Sequence, residues 1–172
     1  MELSELAALP LTYREVGATA GEMPPGYRHI AAGRRIGSGR KRFEDAAEAV
    51  LRYGMLRGAG VRVRADTPVA QPGTNVLGRL GPFLAPCRVV YVLDEPNRRG
   101  FAYGSLPGHA VRGEELFAVR YDPVDDGVHA EVAAFSLPAT WWARLGLPVL
   151  RLAQKVVTRR YLSAVSASSN VS

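Results

Sequence analysis

The clearest pattern in the chain is an alternation of apolar and polar positions between residues 87 and 136. Such alternation is typical of β-strands that bury one face. Segments rich in turn-forming residues separate four such runs, so the pattern predicts an antiparallel meander with short connections. The four predicted strands are Cys87–Asp94, Arg99–Leu106, Glu114–Asp122 and Val128–Ser136.

One face of this predicted meander is largely apolar. If each hairpin closes symmetrically about its turn, a row of side chains crosses this face. The row consists of Tyr91, Tyr103, Phe117 and Val132. Ser105 and Glu115 fall on the same face, whereas the opposite face carries charged residues that we expect in water. Gly100 and Gly104 on that opposite face indicate bending or a close approach of another segment.

Other segments predict the elements around the meander. Residues 27–36 form a weaker candidate strand, and two further strands are predicted at residues 61–64 and 74–80. Apolar residues at steps of three and four predict a helix from Phe43 to Met55. A second helical pattern begins near Pro138 and runs to Tyr161, with an interruption at residues 146–148. We expect this long C-terminal helix to lie on the apolar face of the meander.

Composition indicates a single domain. The chain has 172 residues, of which 47 % are hydrophobic and 22 % charged, so it can bury a sizeable core. We expect one domain over residues 1–165 with an irregular N-terminal arm over residues 1–25, and a disordered tail at residues 166–172. A lone cysteine excludes an internal disulfide framework. No apolar run is long enough to span a membrane and no signal peptide is recognised, so a cytoplasmic location without stable membrane insertion is expected.

The net charge of +6 comes largely from two stretches without acidic residues. Residues 26–42 hold six basic side chains and residues 138–172 hold five more. Such patches attract nucleic acid or anionic lipid in some proteins, and are solvated surface in others. No nucleic-acid motif accompanies them, so we do not expect a nucleic-acid partner. No histidine or cysteine spacing predicts a metal site, and no cofactor motif is recognised.

The predicted order of elements resembles a known architecture. One strand, a helix, six strands and a long final helix is the order of the helix-grip fold of START-like lipid carriers and polyketide cyclases. This resemblance implies an α+β fold in which a curved antiparallel sheet of about seven strands wraps around a long C-terminal helix. A cavity often lies between sheet and helix in such proteins.

A closer resemblance is carried by several short phrases. The chain is similar to a UPF-type family of bacteria and plants known as domain of unknown function nineteen-ninety. The resemblance runs from about Leu11 to Ala164 and implies the fold more than an activity. Phrases that resemble the family are Leu11-Thr12-Tyr13, Val16-Gly17-Ala18-Thr19, Gly37-Ser38-Gly39 followed by Phe43-Glu44, and Cys87-Arg88-Val89-Val90-Tyr91. The most specific phrases are Tyr103-Gly104-Ser105-Leu106-Pro107-Gly108-His109 with Gly113-Glu114-Glu115 and Phe117, and Phe135-Ser136-Leu137-Pro138.

Glu115 is the most informative single residue, because an inward carboxylate is costly unless it is hydrogen-bonded, paired or protonated. It could orient the polar group of a ligand or act as a general acid–base. It could equally anchor a loop or lie in solvent at the strand end. His109, in the preceding loop, could pair with Glu115 for proton transfer or could simply fix the loop. Cys87 is expected to be packing rather than a nucleophile.

Two hypotheses of function follow. The first is a binding module that holds a small apolar or amphipathic molecule between the sheet and the C-terminal helix. Its expected ligand-binding residues are Tyr91, Tyr103, Ser105, Glu115, Phe117 and Trp141. The second is an acid–base enzyme, cyclase-like or hydrolase-like, that uses Glu115 and His109 as catalytic residues. A weaker alternative is a basic surface that binds nucleic acid or a membrane.

Overall fold

The structure, a computed structural model, describes residues 1–139 and contains one seven-stranded antiparallel sheet. The strands are β1 Arg28–Ser38, β2 Arg62–Ala65, β3 Asn75–Leu80, β4 Phe83–Glu95, β5 Arg98–Ser105, β6 Val111–Asp122 and β7 Gly127–Pro138. The helices of these residues are α1 Leu3–Leu6, α2 Arg40–Leu51 and α3 Gly54–Gly58, with a 3₁₀ turn at Ala18–Ala20.

The strand order is β1-β7-β6-β5-β4-β3-β2. The four strands of the predicted meander are confirmed as β4 to β7; β4, β6 and β7 are longer than predicted, and β5 is shifted by one residue toward the N-terminus. The first strand pairs with the last, so β1 lies beside β7 although 88 residues separate the end of β1 from the start of β7. The predicted strands at residues 27–36, 61–64 and 74–80 are confirmed as β1, β2 and β3.

Helix α2 packs against β5 and β6 and defines the inner face of the sheet. Its apolar side is the one that the spacing predicts: Phe43, Ala46, Ala47, Val50 and Leu51 are buried. The prediction of one continuous helix to Met55 is wrong. Tyr53 adopts a left-handed backbone with φ of 61°, and the chain turns there into α3. A separate short helix places Met55 and Leu56 in the same core.

A β-bulge changes the predicted row of side chains. Val89 lies opposite Tyr103, but two residues later Tyr91 lies opposite Ala102, so one extra residue is inserted in β4. Because alternate residues of a strand point to opposite faces, this insertion reverses the direction of every side chain after it. The placement of Tyr91 on the inner face is therefore wrong. Tyr91 packs on the outer face with a small cluster that includes Ala102 and Leu116.

The N-terminal arm crosses the outer face, whose charged residues we expected in water. Near the β3 edge, Leu6 is fully buried against Leu77 and Leu106. The Arg88 guanidinium holds this part of the arm by donating to the carbonyl oxygens of Leu6 and Leu9. Further along the arm, Tyr13 is buried against β5 and β7. These contacts lie on the side of the sheet opposite α2.

Several predictions fall on residues 140–172, outside the described part of the chain. These are the long C-terminal helix, Trp141, the second basic stretch and the tail. Among the helices of residues 1–139, none has the length and apolar character required to cross a membrane. A cytoplasmic location stays a prediction.

Candidate functional site

Two consecutive glutamates on β6 point to opposite sides of the sheet. Glu115 lies in the register position opposite Tyr103 on one side and Ala134 on the other, on the inner face. Glu114 lies opposite Gly104 and Phe135 and faces outward, under the arm. Since each face has a different cover, the two carboxylates have different surroundings, and they can be examined separately.

The inner face near Glu115 is formed by two rows of side chains. The first row consists of Val92, Phe101, Phe117, Val132 and Ala32, and the second of Val89, Tyr103, Glu115, Ala134 and Ile30. Phe101 and Phe117 are fully buried in the core beneath α2, whereas Tyr103 and Glu115 are only partly buried. The Tyr103 and Phe117 rings meet edge to face with centroids 5.2 Å apart. The prediction that Tyr103 and Phe117 share a face is confirmed.

Glu115 has one hydrogen-bond partner among the described residues. The Tyr103 hydroxyl donates to its Oε2 atom at 3.2 Å. Burial raises the pKa of Glu115 to about 7, and the Tyr103 hydrogen bond partly opposes this rise because it favours the ionised form. In residues 1–139 no donor reaches Oε1.

His109 lies in the loop before β6 and is half-buried. Its Nδ1 atom accepts a hydrogen bond of 3.1 Å from the backbone N–H of Val111, so the neutral ring carries its proton on Nε2. Burial lowers the pKa of His109 to about 4. Within the described residues no hydrogen bond joins His109 to Glu115. At neutral pH His109 is therefore uncharged and can only donate a hydrogen bond. Of these two residues, only Glu115 binds or releases a proton near neutral pH.

Ser105 and Cys87 are both buried in the sheet. The Ser105 hydroxyl accepts from the Gly113 backbone N–H at 2.9 Å and also bonds the Thr12 hydroxyl at 2.6 Å. It therefore links β5, β6 and the arm, and its hydrogen-bonding capacity is used within the protein. Cys87 is 2 % exposed, and burial raises the pKa of its thiol, which keeps the reactive thiolate scarce.

On the outer face, Glu114 receives four hydrogen bonds from the arm. The Tyr13 hydroxyl and the Gly17 backbone N–H donate to Oε2 at 2.6 and 2.7 Å. The Thr19 backbone N–H donates to Oε1 at 3.0 Å, and the Thr19 hydroxyl donates to the same oxygen. Glu114 is 3 % exposed. Its carboxylate is thus satisfied by donors, and it ties the arm to the sheet.

Tyr91 belongs to this outer site. Its hydroxyl shares a hydrogen bond of 2.8 Å with the Thr19 hydroxyl, which itself donates to Glu114. Gly104 makes room for the arm, because a Cβ atom at this position would collide with the Tyr13 hydroxyl. Our sequence analysis placed Glu114, Tyr13 and Thr19 in phrases that carry the family resemblance but assigned none of them a role at a site. The signal that could have found them is Gly104, a small residue that indicates close approach on a strand that is otherwise well formed.

The basic stretch over residues 26–42 is used partly within the protein. Arg40 donates to the Pro96 carbonyl and the Asn97 side chain, and its guanidinium lies 4.3 Å from the centre of the Tyr121 ring. Lys41 pairs with Asp45 and Arg35 with Asp125. As for metals, the His, Cys, Asp and Glu residues within positions 1–139 form no group of three that could hold an ion.

Comparison with known proteins supplies the family. The family model described as domain of unknown function (DUF1990) matches residues 12–164. This chain belongs to the DUF1990 family. A UPF0548 protein of Deinococcus radiodurans is 34 % identical over 169 residues, covering 87 % of this chain and 83 % of the relative. A UPF0548 protein of Arabidopsis thaliana is 31 % identical, covering 80 % and 71 %, and another relative occurs in Dictyostelium discoideum. The DUF1990 relatives therefore extend beyond bacteria and plants.

Solved structures confirm the fold. A hypothetical protein of Helicobacter pylori has a TM-score of 0.67 at 9 % identity, with 94 % of this chain and 96 % of that chain covered. Norcoclaurine synthase of Thalictrum flavum has a TM-score of 0.55 at 11 % identity, covering 95 % and 98 %. At such identities the likeness shows the fold alone. The DUF1990 chain has the α+β helix-grip architecture that the order of elements predicts.

The sequence phrases that mark the DUF1990 resemblance meet mainly at the outer site. Tyr13, Thr19, Tyr91 and Glu114 come from four different phrases and form one hydrogen-bonded cluster. Gly104, from another phrase, lies beneath the Tyr13 ring. These residues are dispersed over a hundred positions of sequence. The phrases that carry the DUF1990 resemblance therefore contain the residues that anchor the arm.

Proposed function

We propose that this protein binds a small apolar or amphipathic molecule over the inner face of the sheet, with Glu115 meeting the polar group of the ligand. The observation that carries this proposal is the position of Glu115. Among residues 1–139 this carboxylate has a single hydrogen-bond donor, and it lies beside Tyr103 and Phe117 where the packed core gives way to partly buried side chains. A few polar groups set into an apolar wall are typical of small-molecule sites.

The side chains around Glu115 favour a ligand with an apolar body. Val89, Ala134 and Phe117, which are all buried, surround Glu115 with hydrocarbon and ring, and the Tyr103 hydroxyl is already directed at the carboxylate. A pKa near 7 lets Glu115 accept a hydrogen bond when ionised or donate one when protonated. The site therefore suits a molecule with one hydroxyl, carbonyl or amine at an end of an apolar skeleton.

The fold neighbours support this use of the architecture. The norcoclaurine synthase structure is a complex with dopamine and hydroxybenzaldehyde, and another holds a transition state analogue. Both structures show norcoclaurine synthase, which shares this fold, in complex with small molecules. They support a binding role for the present chain through its architecture only.

The test uses native mass spectrometry of the protein purified from its source organism, together with displacement of 1-anilinonaphthalene-8-sulfonate. We expect a co-purifying small molecule, and we expect Tyr103→Phe and Glu115→Gln to weaken its binding by about tenfold each. Tyr91→Phe is the matched control, because this tyrosine also has a hydroxyl partner but lies on the outer face. Equal weakening by the Tyr91 and Tyr103 variants, or a protein that takes up neither molecule, would contradict the proposal.

A second candidate function is acid–base catalysis on the bound molecule. It is favoured by the pKa of Glu115, since a general acid–base works best when its pKa lies near the working pH. Glu115 would transfer the proton, and His109 could assist only as a neutral donor because its pKa is lowered to about 4. If Glu115→Gln retains the co-purified molecule unchanged while the wild-type protein converts it, catalysis is the function. If both proteins retain the molecule unchanged, the function is binding alone.

A further inference from the structure

The tip of the β3–β4 hairpin exposes an unusual amount of apolar surface. Six large apolar side chains are exposed in residues 1–139, and three of them belong to this tip. Phe83 is 60 % exposed, and Leu80 and Leu84 are each 37 % exposed. The other three, Met1, Val16 and Val124, are scattered. Single exposed apolar residues are ordinary, whereas a cluster on one protrusion indicates a contact surface.

The backbone makes this tip a projecting knob. Leu80 and Phe83 form the last pair of the hairpin, and Gly81 and Pro82 make the turn between them. Gly81 has a positive φ of 58°, and Pro82 has no backbone N–H that would need a partner. A knob of three side chains is much smaller than the ~800 Å² per partner of a standard protein–protein interface. Its shape suits shallow insertion better than docking against another folded surface.

Arginines lie directly behind the apolar tip. Arg62 on β2 lies opposite Arg79 on β3, and Arg79 lies opposite Leu84 on β4, so the three share one face. Like charges in this register repel each other unless an anion lies between them. In the described part of the chain neither arginine forms an ion pair with a carboxylate. Arg79 donates to the Gly81 carbonyl at 3.1 Å, which holds its guanidinium near the tip.

We propose that the β3–β4 tip docks this protein onto the surface of a membrane that contains anionic lipid. Phe83 and its cross-strand partner Leu80 enter the boundary between headgroups and acyl chains from one face of the tip, and Leu84 enters from the other face, which it shares with the arginines. Arg62 and Arg79 bind lipid phosphates from behind, which relieves their mutual repulsion. The attachment is peripheral and reversible. It does not depend on the ligand proposed above, because it uses a different part of the sheet.

Sedimentation with vesicles tests this inference. The full chain is mixed with vesicles of phosphatidylcholine alone and of phosphatidylcholine with 30 % phosphatidylglycerol, in 0.1 M NaCl. We expect binding to the anionic vesicles at least about tenfold tighter than to the neutral ones, with most of it lost in 0.5 M NaCl. Equal binding to both vesicles, or to neither, would overturn the proposal.

Variants at the tip separate the apolar and the charged contributions. Phe83→Ser with Leu84→Ser, and separately Arg62→Gln with Arg79→Gln, are each expected to weaken binding on the order of tenfold. Val124→Ser is the apolar control, since Val124 is 94 % exposed at the β6–β7 turn, and Arg112→Gln is the charge control. Both controls should bind as the wild type does. Sensitivity of the controls equal to that of the tip variants would overturn the inference, as would a vesicle-independent dimer that Phe83→Ser abolishes.

Discussion

Glu114 and Glu115 are neighbours in sequence and opposites in structure. Glu114 is buried on the outer face and accepts hydrogen bonds from two hydroxyls and two backbone N–H groups of the arm. Glu115 is partly buried on the inner face and has a single hydroxyl partner at 3.2 Å. The first carboxylate is saturated with donors, and the second retains an oxygen that no described residue engages. Saturation marks a structural role, whereas spare capacity leaves room for a ligand.

The largest difference between the two faces should appear on truncation of each glutamate. Glu114→Ala leaves four buried donors without an acceptor, so we expect a loss of about 3 kcal/mol in the free energy of unfolding, measured by urea denaturation. Trypsin should then cut more readily at the exposed Arg14, because the arm is released. Glu115→Ala is the matched control and should change stability by less than about 1 kcal/mol. Equal losses for the two variants would remove the distinction between the faces.

A smaller effect should distinguish the hydroxyl groups of Tyr13 and Tyr27. Both rings pack edge-on against Phe135, with centroids 5.5 and 5.0 Å from it, but only Tyr13 donates to the buried Glu114. Tyr27 donates to the more accessible Glu15. We expect Tyr13→Phe to lower the free energy of unfolding by about 1.5 kcal/mol and Tyr27→Phe by less than about 0.5 kcal/mol. A larger loss in the free energy of unfolding for Tyr27→Phe than for Tyr13→Phe would contradict this prediction.

The smallest expected effect is a dependence of stability on pH that arises from Glu115. Its pKa is about 7 in the folded protein, above the usual 4.5. Between these two pH values the folded state therefore keeps a proton that the unfolded state has released. This contribution to stability is present below about pH 4.5 and is lost as pH rises to about 7. The wild type should therefore lose on the order of 1 kcal/mol relative to Glu115→Gln over this range, in denaturation series at several pH values.

His109 acts in the opposite direction, which makes the Glu115→Gln comparison necessary. Its pKa of about 4 lies below the usual 6.5, so the unfolded state binds more protons between these values and stability rises with pH there. Because this contribution is common to the wild type and to Glu115→Gln, it cancels in the difference between them. A difference that stays constant from pH 4.5 to 7 would contradict the raised pKa of Glu115.

The positions of the strands could be predicted from the sequence because each one buries a face. Alternation located β4 to β7 and placed Phe117 and Glu115 on the inner side. The bulge in β4 could not be predicted from it. The apolar residues Val89, Val90, Tyr91 and Val92 fit either phase of alternation, so only the pairing with β5 decides where the inserted residue lies. Tyr91 was assigned to the wrong face for this reason.

The docking of the arm on the outer face was the other feature that the alternation of apolar and polar residues could not predict. Alternation directs Glu114 outward, and an outward carboxylate is ordinarily solvated, so nothing local predicts its burial. Its donors come from residues 13–19, about a hundred positions away, and their loop has no periodicity that would reveal a docking face. Gly104 carried the one local sign, which indicated that something approaches but not which segment does.

The distance in sequence between the arm and its anchor affects how the protein is made. Tyr13 and Glu114 are 101 residues apart, so a ribosome adding roughly 5–20 residues per second completes the anchor about 5–20 s after the arm emerges. Until then Tyr13 and Thr19 lack the Glu114 carboxylate, and the β6 strand must exist before it can hold them. Residues 13–19 are consequently made long before they can reach their final positions.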